Sequence, residues 1–185
     1  MMASGEYYKM VDLVTCGNPS AIVFEGFLTT NLHGGHRQLL RELGLPVEGA
    51  ELLSLALYHV LLTFKKEKKV KKLVPEGEEE VEEVVCRKRR YRLGSVDVLI
   101  AGTDAVIILS RINRDPRLED VWLALEGDVL AEDFGVKRVF VLKARCKIEG
   151  FKSFLEGLGY RMYRKDRRFY VREISESFAK GRGRR

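Results

Sequence analysis

Two acids and two histidines in this chain are of the residue types that catalytic and metal sites use. Asp97 lies inside an apolar run, and Asp104 follows the next turn of the chain. His33 and His36 are separated by two glycines. Paired carboxylates can hold a divalent cation that activates water, and two histidines can contribute two of the ligands of a zinc site.

The neighbouring residues favour plainer interpretations of both groups. No cysteine or further histidine lies near His33 and His36, so this segment is interpreted as a glycine-rich turn that leads into a helix. Asp97 alternates with Val96 and Val98 on a strand, a position that also suits a solvated or capping carboxylate. We therefore expect no metal and no cofactor, with magnesium implied only by a nuclease function.

The elements that would position these residues follow from apolar patterning. Two apolar runs joined by Gly102-Thr103-Asp104 predict a hairpin, and Ala105–Leu109 predicts a strand buried on both faces. Asp115-Pro116 predicts the start of a helix that continues to Phe134, with an apolar stripe that includes Trp122. A strand at 137–143 completes a strand–strand–helix–strand unit, which indicates an α/β fold.

The segment Gly94-Ser-Val-Asp97-Val-Leu-Ile, a short turn and Val106-Ile-Ile-Leu-Ser-Arg111 resembles the core of the restriction-endonuclease-like, or PD-(D/E)XK, nucleases. This superfamily includes archaeal Holliday-junction resolvases. The resemblance implies a mixed sheet with flanking helices, in which Asp97 and an acid-x-Lys pair on the next strand would hold a metal and orient water. Leu109 and Arg111 occupy those two positions, and neither can replace the acid or the lysine. The resemblance therefore implies a nuclease-like fold with no catalytic residue and with its metal chemistry lost.

The first 66 residues predict a small α+β region, and residues 67–185 predict the nuclease-like α/β domain. Short strands at 11–14 and 21–24, parted by a turn at Gly17-Asn18-Pro19, precede a helix at His36–Leu43. The segment 50–64 is apolar almost all round, which predicts a buried helix.

This order of a small N-terminal region, a leucine-rich helix and a nuclease-like domain resembles the archaeal tRNA-splicing endonuclease subunits. The catalytic subunits of that family use a tyrosine, a histidine and a lysine in the C-terminal domain. No histidine follows His59 in this chain. The resemblance therefore implies a structural, non-catalytic subunit that takes part in RNA processing.

A lysine-rich segment at 65–74 and a glutamate-rich segment from residue 78 flank Pro75-Glu76-Gly77. This pattern predicts a hairpin in which lysines oppose glutamates, each exposed pair being worth about 0.2–1 kcal/mol. A disordered charged loop and a basic protrusion that touches a phosphate backbone are the alternatives. The glutamate-rich segment becomes basic at its end, at Arg87-Lys88-Arg89-Arg90.

A last predicted hairpin, residues 160–174, interleaves aromatic and basic residues. Cations of this kind bind phosphates while aromatic rings stack on bases, although such rings can equally pack on a sheet. The basic tail at 180–185 adds positive charge. The candidate nucleic-acid-binding residues are Arg87, Lys88, Arg89, Arg90, Tyr163, Arg164, Lys165, Arg167 and Arg168.

The chain has 185 residues, of which 32% are charged, and a formal net charge of +6. Many charged residues with few amides are typical of thermophiles, and the basic balance permits a polyanionic partner. Three distant cysteines indicate neither a zinc site nor a disulfide framework. With no signal peptide evident, we expect a cytoplasmic, oligomeric protein that binds nucleic acid, RNA rather than DNA, and no membrane.

Two other functions fit parts of the sequence. A metal-dependent, resolvase-like nuclease with a rearranged site would combine Asp97 with Asp104 or with glutamates between Glu78 and Glu83. A winged-helix DNA-binding regulator would use the predicted helices at 36–43 and 50–64 with the charged hairpin after them as its wing.

Overall fold

The computed structural model describes residues 5–11, 20–112, 118–148 and 150–174. In these ranges the chain forms a mixed α/β fold around one large sheet. The strands are β1 (Glu6–Val11), β2 (Ser20–Thr29), β3 (Glu51–Val74), β4 (Gly77–Ala101), β5 (Asp104–Ile112), β6 (Arg138–Leu142), β7 (Arg161–Met162) and β8 (Phe169–Glu173). The helices are α1 (Gly34–Glu42), α2 (Leu118–Ala124), a π-helical segment (Leu125–Ala131), α3 (Glu132–Phe134) and α4 (Phe151–Gly157), and a 3-10 turn covers Lys143–Arg145.

The sheet runs in the order β1-β2-β3-β4-β5-β6-β8-β7. Its strands are antiparallel, except that β5 and β6 are parallel. The chain passes from β5 to β6 through the helical segment 118–134, because parallel neighbours need a crossover connection.

Helices cover both faces of the sheet. One core unites Trp122, Leu125 and Leu155 of the crossover helix and α4 with sheet residues such as Val98. The second core places Leu40 of α1, and the loop that follows it, against residues of β4, β5, β6 and β8. The central strands β4 and β5 therefore have buried residues on both faces, which explains the apolar runs that lack alternation.

The predicted helix at 50–64 is wrong, because this segment belongs to β3. β3 pairs with β2 on one side and with β4 on the other. Leu53, Leu55 and Leu57 alternate into the first core, while Leu52 packs on the second. A strand with apolar residues on both faces looks, in sequence, like a helix that is apolar all round.

Several predicted elements are confirmed. Gly102, with a φ of 61°, lies in the turn between β4 and β5. The segment 118–134 is helical, α1 begins two residues before the predicted helix, and Pro75 and Glu76 form the turn of the β3–β4 hairpin. The predicted turn at 17–19, the strand positions 12–14, the Asp115-Pro116 helix start and the tail at 180–185 lie outside the described residues. The proposed domain boundary at 66/67 falls inside β3.

Candidate nucleic-acid interface

The C-terminal hairpin, defined here as residues 160–174, has a tight and well-bonded turn. The Tyr163 amide donates to the Phe169 carbonyl at 2.9 Å, and the Phe169 amide donates to the Asp166 carbonyl at 3.2 Å. The Arg168 amide donates to the Asp166 Oδ1 at 3.1 Å. These bonds fix residues 163–168 as a compact loop at one edge of the sheet.

The aromatic residues of the hairpin anchor it to the body of the protein. Tyr160, Phe169 and Tyr170 are at most 4% exposed, and Phe169 packs edge-on against Phe140. Tyr163 is half-buried, with its ring centroid 5.0 Å from that of Phe140. These rings are therefore part of the core, and the exposed part of the loop is mostly cationic.

Arg168 differs from the other cations of the loop because acids surround it. Its guanidinium lies 2.6 Å from an Asp166 carboxylate oxygen and 2.7 Å from one of Glu42 on α1. Its hydrogen bonds lower the pKa of both carboxyl groups. Arg168 thus joins the loop to α1, and its charge is compensated within the protein.

Arg164, Lys165 and Arg167 are exposed, and none forms an ion pair with any residue in the described ranges. Arg161, on β7, shares both properties. Four cations with no acidic partner in that part of the chain therefore lie within seven residues on a rigid support. Such a cluster attracts anions without requiring a particular base sequence.

Two grooves border β7, and Met162 of this strand lines both. The first groove, of about 730 Å³, has a lining that includes Arg138, Arg161, Arg164, Lys165 and Arg172, with Glu173 as its acid. The second groove, of about 930 Å³, has a lining that includes Lys143, Lys152, Arg167 and Arg168, with Asp166 as its acid. Both grooves therefore carry an excess of positive charge.

The two inner cations of the first groove are held by buried or half-buried acids. Arg138 donates from Nε to the Asp104 Oδ1 at 2.8 Å and from Nη2 to the Oδ2 at 3.2 Å. Arg172 donates to the Glu126 Oε1 at 3.3 Å. Asp104, which the nuclease alternative uses as a metal ligand, is therefore engaged by an arginine.

Glu126 is a functional candidate that the sequence analysis missed. Its side chain is fully buried in the π-helical segment, where the Tyr160 hydroxyl donates to its Oε2 at 2.5 Å. The Trp122 indole N–H donates to the Tyr160 oxygen at 3.2 Å. Burial raises the pKa of Glu126, and burial together with Glu126 raises the pKa of Tyr160. Its position four residues after Trp122, on the apolar stripe, was a sequence signal for burial.

The second predicted basic patch, residues 87–90, lies on β4, and among its described side chains Arg90 has an acidic partner. Arg90 donates to the Glu25 carboxylate at 2.5 Å and stacks 3.6 Å from the ring centre of Tyr58. Arg89 lies 5.5 Å from the ring centre of Tyr91. Lys88 is exposed. The backbone of Arg87 pairs with Phe64, and its side chain lies outside the described part of the structure.

Asp97 and the two histidines lie apart from the hairpin. Asp97 is half-buried opposite Leu109 in the sheet register. His33 caps α1 by accepting the His36 amide at 3.3 Å, and the two imidazole rings stack with centroids 3.4 Å apart. Burial and His33 lower the pKa of His36. Among the described residues, no group of three or more histidines, cysteines and acids is arranged to hold a metal ion.

None of the helices in the described part of the chain has the length and apolar character needed to cross a membrane. Comparisons with protein-family models, with curated proteins and with solved structures found no match to this chain. The chemistry of the side chains is therefore the basis for assigning a function.

Proposed function

We propose that this protein binds nucleic acid by placing the phosphate backbone on the loop 163–168. The supporting observation is that Arg164, Lys165 and Arg167 are exposed and unpaired within the described residues. Phosphates are the ligands that such a cluster suits best, because arginine and lysine neutralise them and release condensed counterions.

The anchoring of the loop strengthens this proposal. Hydrogen bonds of the turn and the Arg168 link to α1 hold the loop in one conformation, so little conformational freedom is lost when a ligand binds. The linings of the two grooves add further cations, Arg161 in the first and Lys152 in the second, to those of the loop.

We further propose that the protein binds without cutting, on a restriction-endonuclease-like core. The succession of β4, β5, crossover helix and β6 supports this core. Asp97 faces Leu109 across the β4–β5 pairing, and Ser95 faces Arg111, so acid and lysine are missing from the positions that the motif needs. The splicing-endonuclease and winged-helix interpretations both relied on a helix at 50–64, and the strand there removes that support.

The test measures nucleic-acid affinity at several salt concentrations for wild type and for a triple variant. The triple variant carries Arg164→Ala, Lys165→Ala and Arg167→Ala. Each lost phosphate contact reduces the slope of log affinity against log salt by roughly 0.7–0.9, so the triple variant should lose roughly 2–3. The substrates are a short single-stranded RNA and a duplex DNA. Arg168 stays unchanged, because its ion pairs with Asp166 and Glu42 are structural.

The matched control is the triple variant Lys69→Ala, Lys71→Ala and Lys72→Ala, which removes the same charge from exposed positions on β3. Glutamates of β4 lie opposite these lysines, so the control should change the slope far less. Equal slopes for wild type and both variants would remove the loop from any binding surface. Equal losses of slope in both variants would show that net charge alone, and not the position of the loop, accounts for the effect.

A further inference from the structure

We infer that the second groove, which lies between α4 and the C-terminal hairpin, accepts an unpaired nucleobase. The protein then prefers single-stranded nucleic acid to duplex. This inference rests on the proposed function and names its substrate class. The groove has a volume of about 930 Å³, within the roughly 300–1,000 Å³ typical of sites for small organic groups.

The floor and walls of the groove are apolar and partly aromatic. Leu142 and Ala144 line it from the end of β6 and the following turn, and Phe151, Met162 and Tyr170 complete the lining. The rings of Phe151 and Tyr170 pack edge to face at 6.2 Å. Met162 is 42% exposed on the two-residue strand β7. A flat aromatic base would cover this apolar surface and remove it from water.

The rim of the same groove is cationic. Lys143, Lys152 and Arg167 line it, and Asp166 has its charge compensated by Arg168 at 2.6 Å. The Lys143 ammonium lies 5.4 Å from the Tyr170 ring centre. An apolar floor beneath a positive rim complements a nucleotide, whose flat base is joined to an anionic phosphate.

A duplex offers phosphates to the rim and no free base face to the floor. A single strand can turn a base into the groove while its neighbouring phosphates lie on Arg167 and the loop. The geometry therefore separates two contributions to binding. The exposed cations give affinity for any polyanion, and the apolar groove gives preference for unpaired strands.

The experiment compares wild type with Ala144→Leu, which narrows the groove from an exposed position and leaves every cation in place. Affinities are measured for a short single-stranded RNA and for its blunt duplex. Losing one stacked base should weaken single-strand binding by roughly 5- to 100-fold, with duplex affinity and the salt slope unchanged. Ser153→Leu, an exposed position on α4 that does not line the groove, is the matched control.

A second variant and an optical probe keep the test independent of one substitution. Met162→Ala removes an exposed apolar wall and should weaken single-strand binding in the same sense. A fluorescent adenine analogue in the strand should change its emission on binding wild type and not on binding Ala144→Leu.

Equal wild-type affinity for single strand and duplex would overturn the inference. So would equal losses in Ala144→Leu and Ser153→Leu, or unchanged single-strand binding in Ala144→Leu. If the cation triple variant changes the salt slope while the groove variants change nothing, the proposed function survives and this inference fails.

Discussion

The β3–β4 hairpin and the C-terminal hairpin are both rich in lysine and arginine, but the sheet supports them differently. β2 pairs with β3 only as far as Leu61, and β5 pairs with β4 only from Gly94. Residues 62–74 and 77–88 therefore extend as a two-stranded arm that, within the described residues, pairs only with itself. The C-terminal hairpin is much shorter, yet three of its four aromatic rings are buried in the body.

Charge is also distributed differently in the two regions. In the arm, Lys71 lies opposite Glu80 and Lys72 lies opposite Glu79, so opposite charges face each other along the ladder. In the loop 163–168, the single acid Asp166 is engaged by Arg168 and leaves three cations without a partner in the described ranges. If the proposed function holds, uncompensated charge on a well-bonded support, rather than the number of basic residues, should distinguish the surface that binds polyanions.

The largest difference between the two regions should be in stability. Phe169→Ala removes a fully buried ring of the C-terminal hairpin and should cost about 3–5 kcal/mol of the free energy of unfolding. Leu73→Ala, at a side chain that is 88% exposed on the arm, should stay within about 0.5 kcal/mol of wild type. Denaturant unfolding followed by circular dichroism measures both. Similar losses at the two positions would show that the arm is packed against other residues.

The buried carboxyl beneath the C-terminal hairpin should make stability depend on pH. Burial raises the folded-state pKa of Glu126 above its unfolded value of about 4.3, so the folded state holds the proton more tightly. Its contribution to stability is full below the unfolded pKa and is lost as pH rises through the folded pKa. Glu126→Gln stays neutral, so its Tm should gain on wild type as pH increases through that window.

Thermal melts of wild type and Glu126→Gln across this pH range test the prediction. Glu79→Gln removes one carboxylate from an exposed position of the arm without touching the buried network, and provides the control. A Tm difference between Glu126→Gln and wild type that stays constant with pH would contradict the role assigned to burial.

Arg90 allows a finer comparison at the base of the arm. Arg90→Ala removes the ion pair with Glu25 and the stack on Tyr58, and should cost about 1 kcal/mol or less because the pair is partly exposed. The arginine already has an acidic partner, so the salt slope of nucleic-acid binding should not change. If Arg90→Ala reduced the salt slope as much as the loss of one cation of the loop 163–168 does, the patch at 87–90 would belong to the binding surface.

Removing the end of the arm should have the smallest effect. Replacing residues 66–85 with Asn-Gly would join Lys65 and Cys86, which face each other in the β3–β4 register. The dipeptide suits a two-residue hairpin turn. We expect a Tm and a nucleic-acid affinity close to those of wild type. A large loss of affinity with Tm unchanged would transfer the proposed binding role from the loop to the arm.

Local signals in the sequence were enough to predict several elements of the fold. Gly102 and Pro75-Glu76-Gly77 marked turns. Proline restricts the backbone to angles that suit a turn, and glycine permits turn angles that few other residues adopt. The apolar period around Trp122 gave the crossover helix, and the unbroken run after Asp104 gave the central strand β5. The lysine-rich and glutamate-rich segments favoured the hairpin that the arm forms, but left a disordered loop and a basic protrusion as alternatives.

The choice between a helix and a strand at 50–64 depends on tertiary contacts, because burial on both faces erases the period that separates the two. Tertiary contacts also turn Glu126 towards Tyr160 and Arg172. They give Arg168 acidic partners, while Arg164 has none in the described residues. These partners are far apart in the chain, such as Arg168 and Glu42. A sequence shows which residues can pair, and the fold determines which ones come within reach.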